Sequence, residues 1–87
     1  MTKSEISAFC VEQLAEILRI PKDKIDVNAK FARLGLDSAM TVYLQMELED
    51  RLDMEVGPES FYDHPTVDAL SAHLAEKLAA RAGEPAR

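Results

Sequence analysis

One cysteine, two histidines, no tryptophan and three glycines occur in the 87 residues of this chain. Cys10 alone cannot close a disulfide within the chain, so nothing points to an oxidising compartment, and a zinc centre built from several cysteines is excluded. His64 and His73, isolated in the sequence, do not make a metal-ligand set. With two Tyr and three Phe, the core must come from Leu, Ile, Val and Ala, and so few glycines leave few tight turns. Helix is the expected class. No apolar run approaches the length of a membrane span, and Met1-Thr2-Lys3-Ser4-Glu5 lacks the apolar stretch of a signal peptide, so the expected location is the cytoplasm. Positive charge is also scarce. Ten Lys and Arg against sixteen Asp and Glu leave a net charge of -6, which argues against wrapping nucleic acid, because that binding needs cations to neutralise phosphates.

What is present fits one small folded domain, expected over residues 1–82 and monomeric, with a flexible tail at 83–87. Apolar residues make up 47% of the chain and charged ones 30%, the balance of a globular protein rather than a disordered segment. A chain this short rarely encloses a deep apolar pocket and more readily offers a surface or an attachment point. The acid is concentrated. Eight acids between Asp37 and Asp63 (Asp37, Glu47, Glu49, Asp50, Asp53, Glu55, Glu59 and Asp63) face Arg51 alone, and such a field steers basic partners towards it or serves only as a solvated face.

Thr2-Lys3-Ser4-Glu5 matches a capping box, and Ile6, Phe9, Cys10, Leu14, Ile17 and Leu18 recur at helical spacing, which predicts a first helix ending near Arg19 before Pro21. Cys10 falls on its apolar side, as a small core residue. Residues 22 to 37 read as a long loop pinned by Ile25, Val27, Phe31, Leu34 and Leu36. A loop of that length in a compact domain tends to be functional. Asp37 is a good N-cap for a second helix over 38–52. Gly57-Pro58 breaks the chain, a short turn of helix is expected over 59–62, and Thr66 caps a last helix with Val67, Leu70, Leu74 and Leu78 in register, ending near 82–83. No internal repeat or low-complexity segment is present.

The second helix carries more apolar surface than one core face requires. Thr41, Leu44, Leu48 and Leu52 form one stripe, while Ala39, Val42, Tyr43 and Met46 gather on the opposite side beside Glu49 and Asp50. Coverage by neighbouring loops is one explanation. A docking surface is the other, with apolar residues at the centre, acids at the rim, and Met40 and Met46 adapting to different partners.

Leu34-Gly35-Leu36-Asp37-Ser38 sets a hydroxyl at the end of an anchored loop and the start of a helix, where unpaired backbone N–H groups and the helix dipole favour a phosphate. From the residues alone, Ser38 is more often only a helix-capping residue than a modification site. A hydrolase, which would need Ser38 activated by His64 or His73, is not expected, since Leu36-Asp37-Ser38-Ala39-Met40 is not a G-x-S-x-G elbow.

Leu34-Gly35-Leu36-Asp37-Ser38 resembles the phosphopantetheine attachment motif of acyl and peptidyl carrier proteins. Val42, Leu44, Met46 and Leu48 continue the pattern of that family's second helix, and Phe61-Tyr62-Asp63-His64-Pro65-Thr66 followed by Leu70 is similar to the closing segment of polyketide synthase carriers. The resemblance implies an all-α bundle of four helices, three main and one short, with a long loop between the first and second. It implies a 4'-phosphopantetheine arm, donated by coenzyme A, on Ser38. Asp37 would support the magnesium-dependent phosphopantetheinyl transferase that attaches it. The chain would then be a non-catalytic carrier of acyl thioesters in polyketide-like or specialised fatty acyl synthesis, served by a loading ligase or acyltransferase and a ketosynthase. A peptidyl carrier and a plain interaction bundle are the alternatives. Met1 is expected of a discrete protein. Ala39, Met40 and Tyr43 depart from the family's usual Leu and acids, which suggests a dedicated partner set meeting Ala39, Met40, Val42, Tyr43, Met46, Glu49 and Asp50.

Overall fold

In the computed structural model, which describes residues 1–83, both halves of the N-terminal capping box form: Glu5 N–H donates to the Thr2 hydroxyl at 3.2 Å and Thr2 N–H to the Glu5 carboxylate at 2.8 Å. Helix α1 (Lys3–Leu18) follows and buries Ile6, Cys10 and Leu14, one residue per turn on a single face. It stops at Arg19, which turns left-handed at φ 57 and ψ 47, so Pro21 begins the next turn rather than ending the helix. Burial pushes the Cys10 thiol up to about 12, opposed by a hydrogen bond with Ser71, and leaves it an inert core residue.

The stretch expected as uninterrupted loop contains a 3-10 turn at Lys22–Lys24 and a short helix α2 at Phe31–Leu34. Among the described residues the bundle therefore has two short α-helices and three long ones, not one and three. Four residues are too few to show a helical period, and tertiary contacts hold them. Phe31 N–H donates to the Pro65 carbonyl and Asp68 N–H to that of Val27, both at 2.9 Å. The Phe31 and Phe61 rings meet at 5.6 Å, tilted by 56°. Buried Ile25, Phe31 and Leu36 anchor the segment to the core, as expected.

Helix α3 (Ser38–Leu52) contributes Leu44, Leu48 and Leu52 to the core, with Thr41 half-buried above them. Each such leucine contributes about 1.5–3 kcal/mol through burial. Helix α4 (Ser60–Asp63) is one residue later than expected, and α5 (Val67–Gly83) is capped by the Thr66 hydroxyl, which accepts from Ala69 N–H at 3.0 Å. Helix α1 packs against both α3 and α5. The tail expected at 83–87 lies, from 84 onward, outside the described residues. No described helix is long and apolar enough to cross a membrane.

Helix α3 also ends left-handed, at Asp53 with φ 50. Arg81 on α5 donates to the Asp53 carbonyl at 2.6 Å, while its contact with the Asp53 carboxylate is 3.8 Å and exposed. A side chain in this conformation is strained and the exposed ion pair adds little. Asp53→Gly should stabilise the fold by about 0.5–1 kcal/mol, because the carbonyl acceptor is retained. A thermal unfolding midpoint that falls in Asp53→Gly would assign the carboxylate a larger role.

Candidate attachment site

Three neighbours place Ser38. Gly35 closes α2 at φ 97, a conformation that side chains rarely adopt. Leu36 is buried and fixes the chain to the core. Asp37 caps α3, its carboxylate oxygen Oδ1 accepting from Met40 N–H at 2.8 Å and its carbonyl from the Thr41 hydroxyl at 2.8 Å. Its other carboxylate oxygen makes no hydrogen bond among the described residues. Ser38 is the first helical residue, is exposed, and leaves its own N–H and that of Ala39 without intrahelical acceptors. An exposed hydroxyl beside free amides suits a phosphodiester.

Two open grooves flank this serine. One, of about 390 Å³, lies between α2, α3 and α4; Lys30, Phe31, Gln45, Phe61 and Tyr62 line it beside Ser38. The other, of about 440 Å³, runs between the end of α1 and the start of α3, lined by Glu16, Ile17, Arg19, Ala39, Met40 and Tyr43.

The surplus stripe of α3 is uncovered. Val42, Tyr43 and Met46 are 52%, 53% and 61% exposed, so loops do not hide it. Ala39 and Asp50 are exposed beside them. Two residues expected on that face are engaged within the fold instead. Met40 is half-buried against the core. Glu49 accepts from Val56 N–H at 2.9 Å, while Gln45 donates to the Val56 carbonyl at 2.8 Å, so two α3 side chains hold one backbone unit of the α3–α4 connection. Sequence reasoning gave no role to Gln45, Lys30 or Tyr62. Tyr62 is 85% exposed; its signals are its place in the Phe61-to-Thr66 segment and its adjacency to the apolar Phe61, which a four-residue helix turns inward.

The two histidines are not isolated in space. Their rings stack at 4.0 Å between centroids, inclined by 16°, although no group of three or more metal-ligating residues forms among the described residues. Burial, then the neighbouring His64 and Lys77, lowers the pKa of His73, with Glu76 and Asp63 acting the other way. The unfolded chain therefore binds this proton more readily than the native one. The contribution of His73 to stability is complete above the ordinary histidine value and is lost as pH falls through the lowered one. Thermal unfolding between about pH 7.5 and 5 should show a steeper loss in wild type than in His73→Gln. Equal slopes would place the dependence elsewhere.

A sequence model described as the phosphopantetheine attachment site matches residues 11–74. The chain belongs to this family of phosphopantetheine-binding carrier proteins. It is 38% identical over 79 residues to 6-methylsalicylic acid synthase of Penicillium patulum and 32% identical over 77 to a phenolphthiocerol/phthiocerol polyketide synthase of Mycobacterium tuberculosis. These alignments cover 86% and 88% of the carrier but only 4% of each relative. Its fold matches a free-standing peptidyl carrier protein from an Acinetobacter baumannii secondary metabolic pathway, with a TM-score of 0.84 at 32% identity, covering 88% of this chain and 96% of that one. The all-α carrier bundle is thereby established, and with it the cofactor class. Ser38 and Asp37 both lie inside the matched range.

Proposed function

We propose that this carrier bears its 4'-phosphopantetheine on Ser38 and holds acyl intermediates of polyketide-like synthesis while partner enzymes process them. The observation that carries the reading is the exposed Ser38 hydroxyl at the start of α3, directly after a cap that spans Asp37 to Met40. A phosphopantetheinyl transferase would join the Ser38 oxygen to the phosphorus of coenzyme A's arm. The pyrophosphate bond breaks, adenosine 3',5'-bisphosphate leaves, and the transferase takes the hydroxyl proton. The unengaged oxygen of Asp37 is available to the magnesium of that step. When attached, the arm supplies a flexible thiol that carries acyl groups as thioesters.

The carrier's own residues position and present; none is asked to catalyse. Rigid anchoring by Leu36 and the Asp37 cap keeps the attachment point fixed while the arm moves, and tethering raises the cargo's effective concentration at each partner. Ala39, Val42, Tyr43 and Met46 form the apolar centre of a docking face rimmed by Glu47 and Asp50, which suits partners with basic residues around an apolar patch, such as a loading ligase or acyltransferase and a ketosynthase. Met40 supports this face from beneath. Glu49 acts indirectly, through Val56.

Incubation with a broad-specificity transferase, coenzyme A and magnesium should add one phosphopantetheine, located on Ser38 by tandem mass spectrometry. A folded protein that stays unmodified beside a loaded control carrier would refute the assignment.

A further inference from the structure

Between residues 19 and 33 the charge of the molecule reverses. Arg19, Lys22, Lys24, Lys30 and Arg33 face only Asp23 and Asp26, in a chain whose net charge is -6. All five cations are exposed, and the ion pairs among the described residues, Lys3 with Asp68 and Arg81 with Asp53, involve none of them. Two of these cations line the grooves beside Ser38. Arg19 lines the groove shared with Ala39, Met40 and Tyr43, and Lys30 lines the groove that contains Ser38. Arg19 occupies a left-handed helix end where glycine would be less strained, although a cation there also complements the dipole of α1.

We infer that this edge, built from the end of α1, the 3-10 turn and α2, is a second docking face that takes an acidic protein surface. The inference rests on the carrier reading above. An arm anchored at Ser38 must enter a partner at that point, so the rim of the partner's entrance meets whatever surrounds the serine. On one side that is the acidic and apolar face of α3; on the other it is the positive edge. A partner with a basic lip opposite α3 and an acidic lip opposite Arg19, Lys22 and Lys24 fits in one orientation, and the reverse approach sets like charges together. Arg19 and Arg33 can also grip carboxylates through paired N–H donors. A uniform polyanion such as nucleic acid gains the same contacts but is repelled by the acids of α3 and α4, which a mixed protein surface is not.

The test uses the loaded protein, with one phosphopantetheine verified by mass for wild type and for the Arg19→Glu/Lys22→Glu/Lys24→Glu variant. Failure of both to load would count against the carrier reading, and the docking measurement is then made on the unloaded proteins. Isotope-labelled protein is titrated with two designed helical peptides sharing one apolar stripe, one rimmed with Glu and one with Lys. The Glu-rimmed peptide should shift the amides of residues 19, 20, 22–24 and 30–33, and the Lys-rimmed one those of α3 and α4. The triple variant, folded by circular dichroism, should lose about tenfold or more in affinity for the Glu-rimmed peptide alone, and added salt should weaken wild-type binding. No shift in those loop amides, or equal affinity for the variant, overturns the second face. Tighter binding to a heparin oligosaccharide or to phosphatidylglycerol vesicles than to the Glu-rimmed peptide overturns it in favour of a polyanion site.

Discussion

Ser38→Ala should accept no phosphopantetheine from any transferase while unfolding at close to the wild-type temperature. The two halves of that expectation have separate causes. Loss of loading should be complete because the substitution removes the oxygen proposed to receive the arm; the Thr41 hydroxyl, one turn on, donates to the Asp37 carbonyl at 2.8 Å. Retention of the fold follows because Asp37, not Ser38, caps α3, and because Ser38 is exposed and makes no side-chain hydrogen bond among the described residues. Alanine at the first helical position is a strong helix former, so the change in stability should stay within about 0.5 kcal/mol. Intact mass after exhaustive loading and a thermal melt of the same sample measure both halves. A loaded Ser38→Ala would move the attachment to another hydroxyl. An unfolded one would show that Ser38 serves the fold.

Glu49→Ala should cost about 1–3 kcal/mol. Val56 is fully buried, and its N–H has the Glu49 carboxylate as its acceptor. Alanine leaves that donor in the protein interior without a partner. Glu49→Gln keeps an acceptor oxygen and should recover much of the loss, which separates the hydrogen bond from charge. Gln45→Ala exposes the same fault at the Val56 carbonyl, and because the two side chains share one stretch of backbone the double variant should not be additive. Urea unfolding of the set, read with hydrogen exchange at the Val56 amide, tests the arrangement; unchanged exchange in Glu49→Ala would refute it. The consequence reaches the site, since Val56 leads into α4, whose Phe61 and Tyr62 form a wall of the groove beside Ser38.

The local geometry at Asp37 and Ser38 was legible in the sequence because its determinants are local. A cap three residues before the amide it binds, a glycine before the turn, and a serine at the first helical position are all set by neighbours along the chain. The three long helices were legible for the same reason: each repeats its apolar residues over about four turns, enough to define a period. Helix α2 was not, because four residues define none and its place depends on the Pro65 carbonyl.

By itself the sequence determined the class of fold, the caps at Thr2, Asp37 and Thr66, the core stripe of each long helix, the acidic segment and the family to which the chain belongs. Only the tertiary structure decided how that surface is divided. It turned Glu49 inward to Val56 and left Tyr62 out, stacked His64 on His73, kept the stripe of Val42, Tyr43 and Met46 bare, and brought Arg19 and Lys30 to the grooves beside Ser38. These outcomes depend on contacts between residues distant along the chain, and spacing within one helix carries no information about what the neighbouring element presents.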